Sequence, residues 1–153
     1  MKTNYLLPHK YKIIGWFVLI IGIVSGLLFL NQDFESDLLK VDVFAIYNGD
    51  GFLDEDGGFF KIIENNSILD EIIALSIIFG GLIVGFTKER VEDEFIFKLR
   101  NDSLVWAIIL NYIILTFTIL FIYELTFFNV LVYNMFTPLL FFIFRFNFLK
   151  YRS

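Results

Sequence analysis

Few groups in this chain have the types and spacing that reactive chemistry needs: one histidine, His9, an acidic run at Glu89, Glu92, Asp93 and Glu94, and the turn Asn48-Gly49-Asp50-Gly51. His9 precedes the first long apolar run, so no serine inside an apolar run has an imidazole base beside it. The turn aligns with EF-hand positions 3, 5 and 6 at Asn48, Asp50 and Gly51, with Asp54 at position 9. Positions 1 and 12 fall on Ile46 and Gly57, which removes the first carboxylate and the bidentate glutamate, so a solvated turn is favoured over a calcium site. The acidic run has no histidine or facing carboxylates to complete a metal site and reads as a solvated, salt-bridged face. With no Cys in the chain, thiol nucleophiles, thiolate metal sites and disulfides are excluded. The expectation is a non-enzymatic protein with no cofactor.

The elements that would position these groups are apolar. Hydrophobic residues make up 58% of the 153 residues, more than a soluble domain of that size buries. Four stretches stand out: 13–30, 72–86, 104–123 and 127–144. A hydrocarbon core about 30 Å thick takes roughly 20 helical residues to cross. Three stretches meet that length, and the second reaches it when its helix starts near Ile68, giving a span over 68–86. Ser67 and Asp70 then read as a capping box, with Asp70 and Glu71 at the positive end of the helix dipole. On this basis four spans are favoured over three spans plus a buried helix.

Charge orders the spans. Ten of the 12 basic residues fall before the first span, between the second and third, or after the fourth; Lys40 and Lys61 are the exceptions. The 31–71 stretch that holds those two also carries eleven acids. The positive-inside rule therefore predicts both termini and the 87–103 segment in the cytoplasm, with the 31–67 loop and the turn at Glu124-Leu125-Thr126 outside. The first stretch reads as a retained signal-anchor, because no small-residue cleavage pattern follows it. No glycine follows the initiator Met and no prenylation Cys is present, so attachment is expected by spanning. A net charge of −5 argues against nucleic acid as a partner.

Helices in lipid associate through close backbone approach, which small residues allow. Gly22 and Gly26 on the first span, in line with Gly15, and Gly81 and Gly85 on the second, beside Ser76 and Gly80, predict an interface between those two spans; a homodimer contact is the alternative use of the same motif. A hairpin turning near Leu125 sets Thr116 opposite Asn134 and Asn111 opposite Thr137 and Pro138, polar contacts expected to fix register more than to stabilise. In the outer loop, Val41–Tyr47 and Phe59–Ile63 have strand composition and predict a short hairpin. In 87–103, Val91, Phe95 and Leu99 recur every four residues, with Glu94 four residues ahead of Lys98, and predict an amphipathic segment suited to docking a partner.

The fold expected is therefore an all-α membrane protein: a four-helix transmembrane bundle, both termini inside, with a small outer loop holding the hairpin. The Ile23-Val24-Ser25-Gly26 stretch lacks the first glycine of the rhomboid protease motif. The first span lacks the embedded glutamate of small multidrug transporters, and the Gly-rich signature of dimeric fluoride channels is not found. In size, topology and the run from Lys88 to Glu94, the chain resembles the broad class of small four-span bacterial integral membrane proteins, a resemblance that brings no activity with it. The expected role is an accessory or regulatory protein of the cell inner membrane acting through partner contacts. The alternative is a small transporter or channel subunit that forms a pore by oligomerising, with Asn111, Asn134 and Tyr133 lining it. The lipid bilayer is the first partner; another membrane or cytoplasmic protein, or a second copy, would be the next.

Overall fold

The computed structural model describes residues 4–30, 39–48 and 58–153. Four helices flank a two-stranded antiparallel sheet: α1 Tyr11–Leu30, β1 Lys40–Asn48, β2 Gly58–Ser67, α2 Leu69–Gly85, α3 Glu94–Phe121 and α4 Glu124–Arg152. The expected all-α class is thus corrected by a hairpin whose strands run longer than composition indicates.

The four-span expectation is corrected as well. Among the described residues, only α1, α3 and α4 are long and apolar enough to cross a membrane. Helix α2 has 17 residues and keeps Asp70 and Glu71 in its first turn. At 1.5 Å per residue that is about 25 Å, against a hydrocarbon core of about 30 Å. Both ends have a local cause. The start is set by the sheet: Ser67 belongs to β2, Ile68 is the N-cap without a side-chain cap bond, and the expected capping box does not form. The finish is set by the N-terminal segment, which pairs in parallel with the chain beyond α2: Leu7 N donates to Phe86 O at 2.9 Å and Lys88 N to Leu7 O at 2.8 Å. Backbone committed to that extended pairing cannot continue the helix.

The helices do not close into a bundle. The substantial interfaces run α1 to α2, α2 to α4 and α4 to α3, a row in which the short helix is backed by protein on two faces. From Leu69 beside the hairpin, α2 runs back along α1 to the connection in which Glu89 meets Lys12, so this short helix returns the chain to the end of the row where α1 begins. The outer faces are apolar: Ile13 is 66% exposed, Phe17 65%, Phe121 69% and Phe144 69%, which suits a lipid surround.

Glycines set the helix spacing, though not in the expected pairing. Gly22 lies against Ile77 and Ser76, and Gly26 against Ile73, so the α1 stripe faces α2. On α2 it is Gly80 that answers, where a Cβ would sit 2.5 Å from the backbone N of Leu19. Gly81 and Gly85 face α4 instead, against Leu139 and Phe142. Successive helical residues point about 100° apart, so Gly80 and Gly81 necessarily serve different neighbours. The core that results is Leu19, Ile77, Val84, Ala107, Phe142, Ile143 and Phe146.

The 87–103 segment is divided rather than being one amphipathic helix. Asp93 caps α3 by accepting from Ile96 N at 2.8 Å, and from Glu94 the helix runs unbroken to Phe121. The α3–α4 connection is Ile122 and Tyr123, two residues earlier than the expected turn.

Candidate functional site

Two places in the described residues combine exposure or charge with built geometry: the β-hairpin and the pole where the termini of the helices meet the α2–α3 connection.

In the hairpin, Phe44 pairs with Ile62, Ala45 with Lys61 and Tyr47 with Phe59, and a bulge between Val41 and Val43 shifts the register near its base. Asn65, with φ of 56°, takes the left-handed conformation there, and its N–H donates to Asp42 Oδ1 at 3.1 Å. Strand alternation puts Phe44, Ile46, Phe60 and Ile62 together on one face. They are 65%, 66%, 70% and 68% exposed, and the rings of Phe44 and Phe60 stack at 6.0 Å. Phe60 has φ of 58°, a conformation costing a bulky residue about 1–3 kcal/mol. No helix forms a substantial interface with either strand. A two-stranded hairpin is marginal alone, and the exposed face of Phe44, Ile46, Phe60 and Ile62 is apolar surface left for something else to cover.

At the opposite end, charged side chains from four segments converge under Phe146. Glu89, in the α2–α3 connection, accepts from Lys12 of α1 and from Lys150 of α4, the latter at 2.8 Å. Glu92 accepts both terminal nitrogens of Arg100, while its Oε2 also takes the N–H of Glu89 at 2.9 Å. Arg100 Nη2 donates further to Thr87 O at 3.3 Å. The Phe146 ring lies 5.0 Å from the Arg100 guanidinium and 6.0 Å from each of the Lys12 and Lys150 ammonium groups, within cation–π range. Burial pushes the Glu89 carboxyl up, but hydrogen bonds and charge from Lys12 and Lys150 outweigh it and hold the group below the usual carboxylate range. His9 Nδ1 meets Lys88 O at 3.0 Å, close to the Leu7 strand pairing. Lys12, Lys150 and Arg100 each meet Glu89 or Glu92, so the arrangement can lock the row of helices together.

Sequence reasoning did not find this cluster. The available signal was the pair of acids, Glu89 and Glu92, stranded among the bases that flank apolar runs on one side. Arg100 is only 1% exposed and Lys12 8%, yet both read in sequence as ordinary flanking bases.

The other sequence candidates are scattered. Thr116 and Thr137 hydroxyls donate within their own helices, to Tyr112 O at 2.8 Å and Tyr133 O at 3.3 Å. Asn111 and Asn134 bury their Oδ1 atoms without a hydrogen-bond partner among the described residues, so the expected interhelical polar pairs do not form. The polar link that does join α3 and α4 is Arg145 Nη1 to Ser103 Oγ at 3.0 Å. Of the docking stripe, Val91 precedes the helix and is 72% exposed, Phe95 is exposed, and Leu99 packs against the core. These three do not share one helical face. The calcium reading rests on Asn48, the last residue of β1, and on Asp50, Gly51 and Asp54, which lie outside the described residues; no group of acids or histidines that could hold a metal occurs among the described residues.

Comparison with protein-family models, with curated proteins and with solved structures gives no match.

Proposed function

We propose that this chain is a non-enzymatic accessory protein of the cell inner membrane, multi-pass, with both termini and the charged pole in the cytoplasm, acting through its β-hairpin on the outer surface of a partner membrane protein. The observation that carries this is the face of Phe44, Ile46, Phe60 and Ile62, each about two-thirds exposed, on a sheet with which no helix among the described residues forms a substantial interface. Aromatic residues in a compact apolar patch are the usual energetic centre of a protein contact. The 31–71 stretch carries eleven acids against two lysines, so two copies brought together hairpin to hairpin repel, which favours a different protein over self-association. The basic pole, with Lys12, Lys88, Arg90, Arg145, Lys150 and Arg152, supports its cytoplasmic placement.

A photo-cross-linker introduced at Phe60 in intact cells tests this. The expected result is a discrete adduct with another membrane protein, lost when Phe44→Asp and Ile62→Asp are added. An adduct only at twice the chain's 18.0 kDa, or none at all, contradicts it.

The alternative, a small transporter or channel subunit, is favoured by one observation: the unpartnered Asn111 and Asn134 oxygens buried on the α3–α4 hairpin. Flux through proteoliposomes that Asn134→Leu abolishes would support it.

A further inference from the structure

A groove of about 580 Å³ opens between α1, α2 and α4 at the hairpin end of the row, away from the charged pole. That volume lies within the roughly 300–1,000 Å³ of small-molecule sites. Its walls are apolar, with Ile23, Leu27, Ile73, Ile77 and Leu140 among them, and the small residues Gly26 and Ala74 leave the space open. Two features break the apolar lining. Asp70 and Glu71, in the first turn of α2, stand along it, and Phe29, Tyr133 and Phe136 contribute aromatic rings.

These features favour one sign of charge. Both acids are exposed at the mouth of the groove. Neither acid makes an ion pair among the described residues, whereas Glu89 and Glu92 at the other pole are fully engaged. Aromatic faces attract cations and repel anions. We propose that this groove is a binding site for a lipophilic monocation, with an apolar body against α1, α2 and α4 and a positive ammonium-type or phosphonium-type centre held by Asp70 and Glu71. A phospholipid is disfavoured as occupant, because its headgroup phosphate would sit beside the two carboxylates.

The test is equilibrium binding of tetraphenylphosphonium to the full-length chain in nonionic detergent, with tetraphenylborate, of similar shape and opposite charge, as control. Saturable binding of about one cation per chain is expected, without saturable binding of the anion. Asp70→Asn/Glu71→Gln changes only exposed residues and should weaken the cation about tenfold. Ala74→Phe, which fills the groove, should abolish binding. Absent cation binding, equal binding of both ions, or undiminished affinity in the Asp70→Asn/Glu71→Gln variant would overturn the proposal.

Discussion

The ammonium of Lys150 lies 2.8 Å from Oε2 of Glu89, whose other oxygen takes Lys12, so one carboxylate joins the start of α1, the α2–α3 connection and the end of α4. Elements far apart in sequence are thereby held at one pole around a group that is only 8% exposed.

Removing that carboxylate should be costly. Glu89→Gln leaves the Lys12 charge, whose side chain is 10% exposed, without its counter-ion. A loss of about 3 kcal/mol is expected in denaturant titration of the detergent-solubilised protein. Adding Lys12→Met should recover much of it, and a double-mutant cycle measures the coupling.

The same group sets an acid limit. Because the folded-state pKa of Glu89 is lowered, the unfolded chain binds the proton more readily, and the stabilisation is complete above the unfolded value of about 4.3. It is lost as pH falls through the lower folded value. Thermal stability should therefore be insensitive to Glu89 ionisation between pH 6 and 8 and fall below about pH 4. Glu89→Gln should flatten that acid limb.

Glycine substitutions should separate contact from ornament. A Cβ at Gly80 would lie 2.5 Å from the backbone N and 2.7 Å from the Cα of Leu19, atoms that cannot rotate away. Gly80→Ala should cost about 1–3 kcal/mol. At Gly26 the nearest atom is a side-chain methyl at 3.5 Å, so Gly26→Ala should be neutral or stabilise by up to about 1 kcal/mol. Parallel melting curves in detergent provide the comparison.

Asn111 and Asn134 give opposite expectations for packing and for a polar path. As buried amides with unsatisfied oxygens they cost stability, so Asn111→Leu and Asn134→Leu should each stabilise by about 1 kcal/mol. Destabilisation of both would show that hydrogen bonds join them to neighbours.

How much of this was legible in the sequence differs between elements. Helices α1, α3 and α4 follow from uninterrupted apolar runs, because membrane-length hydrophobicity is a local property. The hairpin was visible in the β-rich composition of Val41–Tyr47 and Phe59–Ile63, although its reach to Ser67 was not, since pairing of Lys40 with Ser67 depends on a bulge. The length of α2 was misjudged because its ends are set by partners distant in sequence, Leu39 for Ile68 and Leu7 for Phe86. The glycine stripe on α1 lies against α2, and motif spacing alone cannot tell which of two adjacent glycines faces which neighbour. The ion cluster was hidden because burial of Lys12 and Arg100 follows from convergence of four segments, which no local pattern records.

The proposed arrangement is a membrane-embedded row of helices with the charged pole on the cytoplasmic side and the hairpin on the outside. The chain contains no Cys, so single substitutions Ile46→Cys on the hairpin and Arg152→Cys at the end of α4 can be probed in intact cells with a membrane-impermeant thiol reagent. The account predicts labelling at position 46 in intact cells and at position 152 only after permeabilisation; labelling of position 152 from outside, or equal labelling of both positions before permeabilisation, would contradict it.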